Sequence, residues 1–295
     1  MRRNIDIWKA LNIFLIIWLF HLAKKSGEIK EKKVYLGIFT STRDYENRAA
    51  QRETWLKTSK FKYRFLPDAW SKKLEHESEK FQDIIFLGNT TGRGGARLYN
   101  WLEYAISEFP KNSLIGITNS DFYACEDLYT TVQEYNRQRR MVFGWWHDRD
   151  PNWLDERFPN TKHRPNEQFV VITWELAAEI LKWPYCLPSK DGAKCNIDSG
   201  KYRVDTTHAG SSLGGWLGDI GNITGIRMND EMAHLTPFSK DRYPNPINEK
   251  FCKHFLSYHK STAELMRHLH CHDELLEEKR ICRKVETLKE FQIQF

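Results

Sequence analysis

Residues 113–121 read SLIGITNSD, an apolar run that ends in a polar segment. The run Ser113–Thr118 has the length and composition of a buried strand. Ligands of open α/β sheets bind beyond the carboxyl ends of strands, so the polar segment directly after this one is a predicted site. A paired-acid metal motif would have a second acid two residues before Asp121, but Asn119 stands there.

Other apolar runs alternate with helical patterns along the chain. Strands that alternate with helices indicate a mainly parallel sheet flanked by helices on both faces, the α/β class. The predicted strands are Val34–Thr40, Phe81–Leu87, Ser113–Thr118, Met141–Trp146 and Phe169–Thr173, and the predicted helices are Glu46–Lys57, Leu98–Phe109, Asp127–Arg139 and Trp174–Lys182.

The first 33 residues carry most of the positive charge. The net charge is +6 for the chain, but residues 1–33 hold eight Lys or Arg and three Asp or Glu, which leaves +1 for the rest. This near neutrality argues against a nucleic-acid partner. Residues 10–23 are uncharged and have basic flanks, which favours a signal-anchor helix over a cleaved signal peptide. The predicted organisation is a short cytosolic N-terminus (1–9), a transmembrane anchor (10–23), a basic stem (24–33) and one globular domain (34–295).

Cysteines and glycosylation sequons together favour a lumenal location for the globular domain. All six cysteines follow the anchor, an even number that suits disulfides. Cys186 and Cys195 flank a turn-rich loop that a bridge could close. Sequons begin at Asn89 and Asn222, and they are used only in the lumen. The lysines after the anchor point the other way, because a count of positive charge alone would keep the domain cytosolic.

Three further segments have the residue types of a site. Gly88–Arg97 lies between a predicted strand and helix, but it lacks a P-loop signature and is predicted to be a flexible surface loop. His268–His272 has zinc-ligand types without a second cluster, which favours a solvated helix with a disulfide at Cys271. Trp145–Trp153 fits a carbohydrate-binding surface and core packing equally well.

Arg48 and Arg52 are four residues apart and therefore share one face of a predicted helix. Two guanidinium groups on one face could hold a diphosphate in a bidentate manner. The spacing alone favours a simpler interpretation, a helix with surface charges and Trp55 in the core.

The segment Arg48-x-x-x-Arg52-x-Thr-Trp55 resembles the R-x-x-x-R-x-T-W signature of the β-1,3-galactosyltransferase and fringe-like glycosyltransferase family. Further segments are similar to that family in the same order, over about residues 34–270. They are Lys80–Leu87 (a second strand with F-x-D-I), Ile117–Tyr123 (the acidic triplet), Pro165 and Phe169–Thr173 (Y-P-x-Y…Y-V-L-S), Val204–Gly210 (the acid-rich stretch with the catalytic base) and His259 (a late histidine).

The resemblance implies a GT-A-like fold and a type II Golgi membrane protein with a lumenal catalytic domain. It implies inverting transfer of galactose or an N-acetylhexosamine from a UDP-sugar to a glycan or glycoprotein hydroxyl, with a β-1,3 linkage. The cofactor would be Mn²⁺. The implied residues are Asp121 and His259 for the metal, Arg48, Arg52, Asn119 and Asp121 for the donor, and Asp205 for the base, with Asp219 as second choice.

Departures from the family pattern fall on positions that do chemistry. The acidic triplet is reduced to Asn119-Ser120-Asp121, and the basic residue before it is Ile117. Thr206 replaces the second acid of the catalytic pair, and the glycines of the Y-P-x-Y segment are missing. The alternative prediction is therefore a catalytically inactive, glycan-binding or chaperone-like relative.

Overall fold

The computed structural model describes residues 31–91, 93–148, 163–182, 208–228, 233–234, 252 and 256–275. Their strands are β1 (Val34–Thr40), β2 (Lys62–Pro67), β3 (Leu114–Asn119), β4 (Phe122–Ala124), β5 (Met141–Asp148), β6 (His163–Thr173), β7 (Thr224–Met228), β8 (Ala233–His234) and β9 (Ser257–His259). Their helices are α1 (Tyr45–Glu53), α2 (Trp55–Thr58), α3 (Lys72–Phe81), α4 (Gly94–Glu108), α5 (Glu126–Glu134), α6 (Trp174–Ile180), α7 (Ala209–Ile220) and α8 (Ala263–Leu275).

A six-stranded sheet has the order β2-β1-β3-β6-β5-β7, and β4, β9 and β8 form a smaller sheet. In the large sheet β1 is parallel to β2 and β3, and β5 is parallel to β7. Strand β6 is antiparallel to both of its neighbours, β3 and β5. The predicted α/β class with a mixed, mainly parallel sheet is confirmed.

Apolar side chains cover both faces of the large sheet. Because successive residues of a strand point to opposite faces, a strand that is buried on both sides is apolar throughout. Thus Leu114 belongs to one core and Ile115 to the other. On the second face Trp101 of α4 packs so closely on β1 that a Cβ at Gly37 would lie 2.8 Å from its ring.

The region between β2 and α4 differs from the prediction. The prediction of a strand over Phe81–Leu87 is wrong, because Phe81 is the last residue of helix α3. The sequence analysis missed α3 and also missed strand β2. Capping explains the difference: the Ser71 side chain accepts a hydrogen bond from the Leu74 N–H, and Gln82 ends the helix with φ 54°. After α3, Ile84 forms an isolated parallel bridge with β2.

Cys125, directly after β4, forms a disulfide with Cys252, and Cys271 is also disulfide-bonded. The predicted presence of a disulfide, including one at Cys271, is confirmed. The first bridge spans 127 residues, and closing such a loop stabilises a fold by about 4–5 kcal/mol in the chain-entropy model. Cys186 and Cys195 lie outside the described residues.

None of the helices in the described ranges is long and apolar enough to cross a bilayer. The predicted anchor at residues 10–23 lies outside those ranges, and the boundaries drawn there stay predictions. Asn89 and Asn222 are both exposed, so the sequons are sterically accessible. Trp146 is buried and donates a hydrogen bond to the Ile226 carbonyl, which supports core packing for that residue.

Candidate active site

The carboxyl ends of β1, β2 and β3 surround a cleft of about 410 Å³. From β1 the chain adds β2 on one side and later β3 on the other, so the cleft lies where the direction of strand addition reverses. This is the position at which open α/β sheets bind ligands. Strand β6 runs the opposite way, and its early residues reach the same edge of the sheet.

Asp121 lines this cleft, and His259, the other metal ligand that the resemblance implied, lies next to it. Strand β4 pairs with β9 so that Phe122 lies opposite His259. His259 Nε2 is 3.3 Å from Asp121 Oδ2, and the imidazole is buried. Asp121 Oδ1 is buried and has no hydrogen-bond partner among the described residues. A buried carboxylate oxygen without a partner points to a cation or a donor group that belongs there.

The turn that carries Asp121 is fixed by hydrogen bonds to its neighbours. Ser120 donates from its backbone to Phe39 of β1 and from its hydroxyl to Asp44 Oδ2, at 2.9 and 2.8 Å. Ser261 donates to the Asp121 carbonyl from its backbone N–H and its hydroxyl. These bonds hold the carboxylate of Asp121 toward the cleft before any ligand arrives.

Asp44 ties the ends of β1 and β3 together. Besides Ser120, its Oδ2 accepts hydrogen bonds from the Ser41 N–H at 2.7 Å and the Thr40 hydroxyl at 3.3 Å. Burial would raise the pKa of Asp44, but these hydrogen bonds outweigh burial and hold the pKa below its ordinary value. Asp44 is therefore an ionised part of the cleft wall.

Arg48 and Arg52 lie behind the cleft in a buried ion-pair network. Arg48 is 1% exposed and makes a bidentate pair with Glu77 at 2.9 and 2.6 Å. Arg52 bridges Glu77 and Asp83. Burial would raise the pKa of Glu77, but the hydrogen bonds from both arginines hold it below its ordinary value. Neither arginine is among the described residues that line the cleft. The structure thus gives them a supporting position, and their predicted donor contact stays untested.

Gln51, between those arginines, supports the turn around Asp121, and the sequence analysis missed it. Its side chain is fully buried, and Nε2 donates to the carbonyls of Asn119 and Phe122 at 3.2 and 2.9 Å. Trp55 packs edge-to-face on the Phe122 ring. The R-x-x-x-R-x-T-W segment therefore holds the turn around Asp121 from behind.

Arg93, Gly94 and Arg97 line the cleft from the start of α4. The sequence analysis predicted a flexible surface loop over Gly88–Arg97. In the structure the last four residues of that segment form the first turn of a 15-residue helix. Arg97 donates to the Thr40 carbonyl, and burial lowers its pKa while three nearby carboxylates oppose that effect. A helix N-terminus beside two guanidinium groups suits a phosphate. The sequence signal for such a phosphate site was the group of glycines between a predicted strand and a predicted helix.

The charged groups of the cleft favour a cation together with an anion. Four carboxylates and two guanidinium groups line it, so a diphosphate alone would meet a net negative wall. These groups are Asp44, Asp68, Asp121, Glu167, Arg93 and Arg97.

The donor atoms fit a divalent cation that shares its coordination with a substrate. Carboxylate and imidazole suit manganese, and small hard cations are commonly held by one or two carboxylates plus substrate phosphates. Asp121 and His259 would hold such a cation. The described residues contain no group of three or more His, Cys, Asp or Glu that could hold a metal without a substrate.

Of the remaining predicted site residues, Asn119 has a described side chain, and the two candidate bases do not. Asn119 ends β3 and lines the cleft, at the edge predicted from the sequence. Asp205 lies outside the described residues. Asp219 belongs to α7, but its side chain is outside the described set. Both assignments as the base stay predictions.

No protein-family model matches this sequence, and no curated protein matches it. The chain is similar in structure to glycosyltransferases. The galactosyltransferase LgtC, in complex with donor and acceptor sugar analogs, gives a TM-score of 0.45 at 11% identity over 80% of this chain and 94% of that one. Mouse xyloside xylosyltransferase 1 gives 0.42 at 9% identity over 77% and 97%. The bifunctional glycosyltransferase WbbM gives 0.47 at 9% identity over 85% and 52%.

Proposed function

We propose that this chain is a manganese-dependent glycosyltransferase that moves a hexose from a UDP-sugar to a hydroxyl of a glycan or glycoprotein. The observation that carries the proposal is the pairing of Asp121 and His259 at the cleft, with the buried Asp121 Oδ1 lacking a partner. A phosphate-favouring helix start with Arg93 and Arg97 lines the same cleft. Resemblance to the β-1,3-galactosyltransferase family supplies the finer part: galactose or an N-acetylhexosamine, β-1,3 linkage and inversion.

The chain's own groups would divide the work as follows. Asp121 and His259 would hold the cation, and Arg93 and Arg97 would face the anionic end of the donor. Bound manganese would supply Lewis-acid stabilisation of the charge that builds on the departing diphosphate. Gln51 would keep the turn in place.

The test is UDP release by the full-length protein from a panel of UDP-sugars, in manganese and in EDTA. We expect release and transfer with at least one donor, and only with metal. Asp121→Asn should abolish metal-dependent UDP binding, whereas Asp127→Asn, a change at an exposed acid six residues away, should leave it intact. Equal UDP binding in manganese and EDTA would contradict the proposal.

The location that goes with this function is the Golgi lumen, with the chain anchored as a single-pass type II protein. A disulfide at Cys125 and two exposed sequons support it. Endoglycosidase treatment of protein from secretory cells should increase its gel mobility, and the shift should vanish in the Asn89→Gln, Asn222→Gln double variant. An unshifted wild type would argue for a cytosolic domain.

The second candidate is an inactive, glycan-binding or chaperone-like relative. Asn119 in place of an acid and Thr206 in place of the second catalytic acid favour it. Glycan binding by wild type, without UDP binding or release from any donor in the panel, would establish this alternative.

A further inference from the structure

Two exposed aromatic rings contact each other beside the end of β2. Trp70 follows that strand and is 41% exposed, Phe86 lies between α3 and α4 and is 40% exposed, and their ring centroids are 5.5 Å apart. Single exposed apolar residues are ordinary on a protein surface, whereas two rings in contact form an apolar patch. Aromatic rings pack well on the apolar C–H face of a sugar, so the patch suits a carbohydrate.

The glycosylation sequon at Asn89 begins three residues after Phe86. Asn89 and Thr91 are exposed, and Gly88, with φ 104°, bends the chain just before them. Asn89 Oδ1 accepts a hydrogen bond from the Thr91 N–H at 3.2 Å, which forms an Asx turn. This turn does not use Nδ2, the atom to which a glycan is joined, so the folded chain can carry a glycan at Asn89 and keep the turn.

Hydrogen bonds on both sides of the sequon fix where it lies. The Thr90 N–H donates to the Asp68 carbonyl at 2.8 Å, and the Asn100 side chain of α4 donates to the Leu87 carbonyl, also at 2.8 Å. Trp70 comes two residues after Asp68, and two residues of chain span at most about 7 Å. The sequon is therefore held beside the two rings, within reach of a sugar on its asparagine.

We propose that the Trp70–Phe86 pair is the platform for a glycan on Asn89, and that the asparagine-linked N-acetylglucosamine packs against the rings. The contact removes the apolar face of the sugar from water and leaves its polar groups in solvent. In the attachment step Asn89 Nδ2 loses a proton and bonds to the anomeric carbon of the sugar, whose bond to a lipid-linked diphosphate breaks. The inference rests on the lumenal location and is independent of the transfer reaction proposed above.

The second sequon supplies an internal comparison. Asn222 is also exposed, but residues 219–221 before it contain no aromatic side chain. A glycan on Asn222 therefore has no ring at the position that Phe86 holds before Asn89. Removal of a glycan should lower the melting temperature when it is taken from Asn89 and not when it is taken from Asn222.

The experiment measures the melting temperature of full-length protein from secretory cells that make high-mannose glycans. Thr91→Ala removes the sequon at Asn89 and keeps the Asx turn, because the turn uses the backbone N–H of residue 91. We expect Thr91→Ala to melt about 2–4 °C below wild type, the shift that one aromatic contact produces in a domain of this size. Trimming wild type to one N-acetylglucosamine at each site should leave its melting temperature unchanged. Complete enzymatic removal from Thr91→Ala, which takes only the Asn222 glycan, should also leave it unchanged.

Variants of the rings test whether the shift depends on the patch. In a Trp70→Ala, Phe86→Ala background, Thr91→Ala should lower the melting temperature no further. Tyr135→Ala is the matched control, since it removes a ring that is 37% exposed at the end of α5. In that background the full loss caused by Thr91→Ala should remain.

Other outcomes would overturn the inference. An equal loss from Thr91→Ala with and without the two rings would show that the glycan does not rest on them. Occupancy at Asn222 but not at Asn89 would overturn the inference and leave the lumenal location standing, whereas two empty sites would overturn both. Loss of sugar transfer in the Trp70→Ala, Phe86→Ala variant, without any effect of the Asn89 glycan on melting, would assign the rings to the acceptor instead.

Discussion

Two pairs of arginines, each four residues apart, have opposite surroundings. Arg48 and Arg52 lie in a buried network with Glu77 and Asp83, while Arg93 and Arg97 line the cleft. The spacing places Arg48 and Arg52 on one face of α1, and places Arg97 one turn after Arg93, the N-cap residue of α4, but it says nothing about what that face meets. For the first pair that face meets carboxylates of distant segments, and for the second it meets the open end of the sheet.

The largest expected effect is a difference between the two pairs in how much the loss of one arginine lowers the free energy of unfolding. Arg48→Gln leaves Glu77 buried without its bidentate partner, and breaking a buried ion pair in this way typically costs about 3–5 kcal/mol. Arg97→Gln should cost much less, because its carboxylate neighbour Asp68 is 4.0 Å away and partly exposed. Denaturant unfolding of both variants measures the difference, with Arg43→Gln, at an exposed position, as control. Equal losses would remove the distinction between the pairs.

UDP affinity should depend on Arg97 and not on Arg48, which is the reverse of the order expected for stability. If Arg97 meets the donor phosphates, Arg97→Gln removes a charge-assisted hydrogen bond worth roughly 1.5–3 kcal/mol, which corresponds to about a 10- to 100-fold weaker UDP affinity. Isothermal titration in manganese measures this. The control is any Arg48→Gln protein that remains folded, which should bind UDP normally, since Arg48 is directed at Glu77 and β1. Normal UDP affinity in Arg97→Gln would contradict a donor role.

Sequence reasoning located the edge of the sheet but not the partners of most residues at that edge. The apolar run before Asn119 is a local signal, so the strand and the turn were predictable. The pairing of Asp121 with His259 came from the family resemblance, and no local pattern links them across 138 residues. Gln51 was missed because its role depends on two backbone carbonyls, which no residue type reveals.

Asn119→Asp tests whether the turn at Asp121 binds a metal. A second carboxylate would place a full negative charge near the cation, where the amide offers only a dipole. We expect apparent manganese affinity to tighten by about 10- to 100-fold, a gain of roughly 1–3 kcal/mol. UDP titrations at several manganese concentrations measure it, with Asn112→Asp, at an exposed position outside the cleft, as control. Unchanged manganese dependence would leave the turn a structural feature.

The smallest effect concerns the pH dependence of the buried network. The pKa of Glu77 is lower in the folded chain than the ordinary value of about 4.3, because its arginine partners outweigh burial. As the pH falls, the unfolded state therefore takes up a proton first, and stability declines from that pH down through the folded pKa. We expect the free energy of unfolding to be flat near neutral pH and to fall below about pH 5.

Glu77→Gln removes the titrating group. The free energy of unfolding of this variant, though lower at neutral pH, should therefore depend less steeply on pH in acid. Asp44→Asn should show a similar but separate reduction, since its pKa is also lowered, by hydrogen bonds at the cleft. Identical acid dependence in wild type and Glu77→Gln would show that Arg48 and Arg52 do not depress the pKa of this carboxylate.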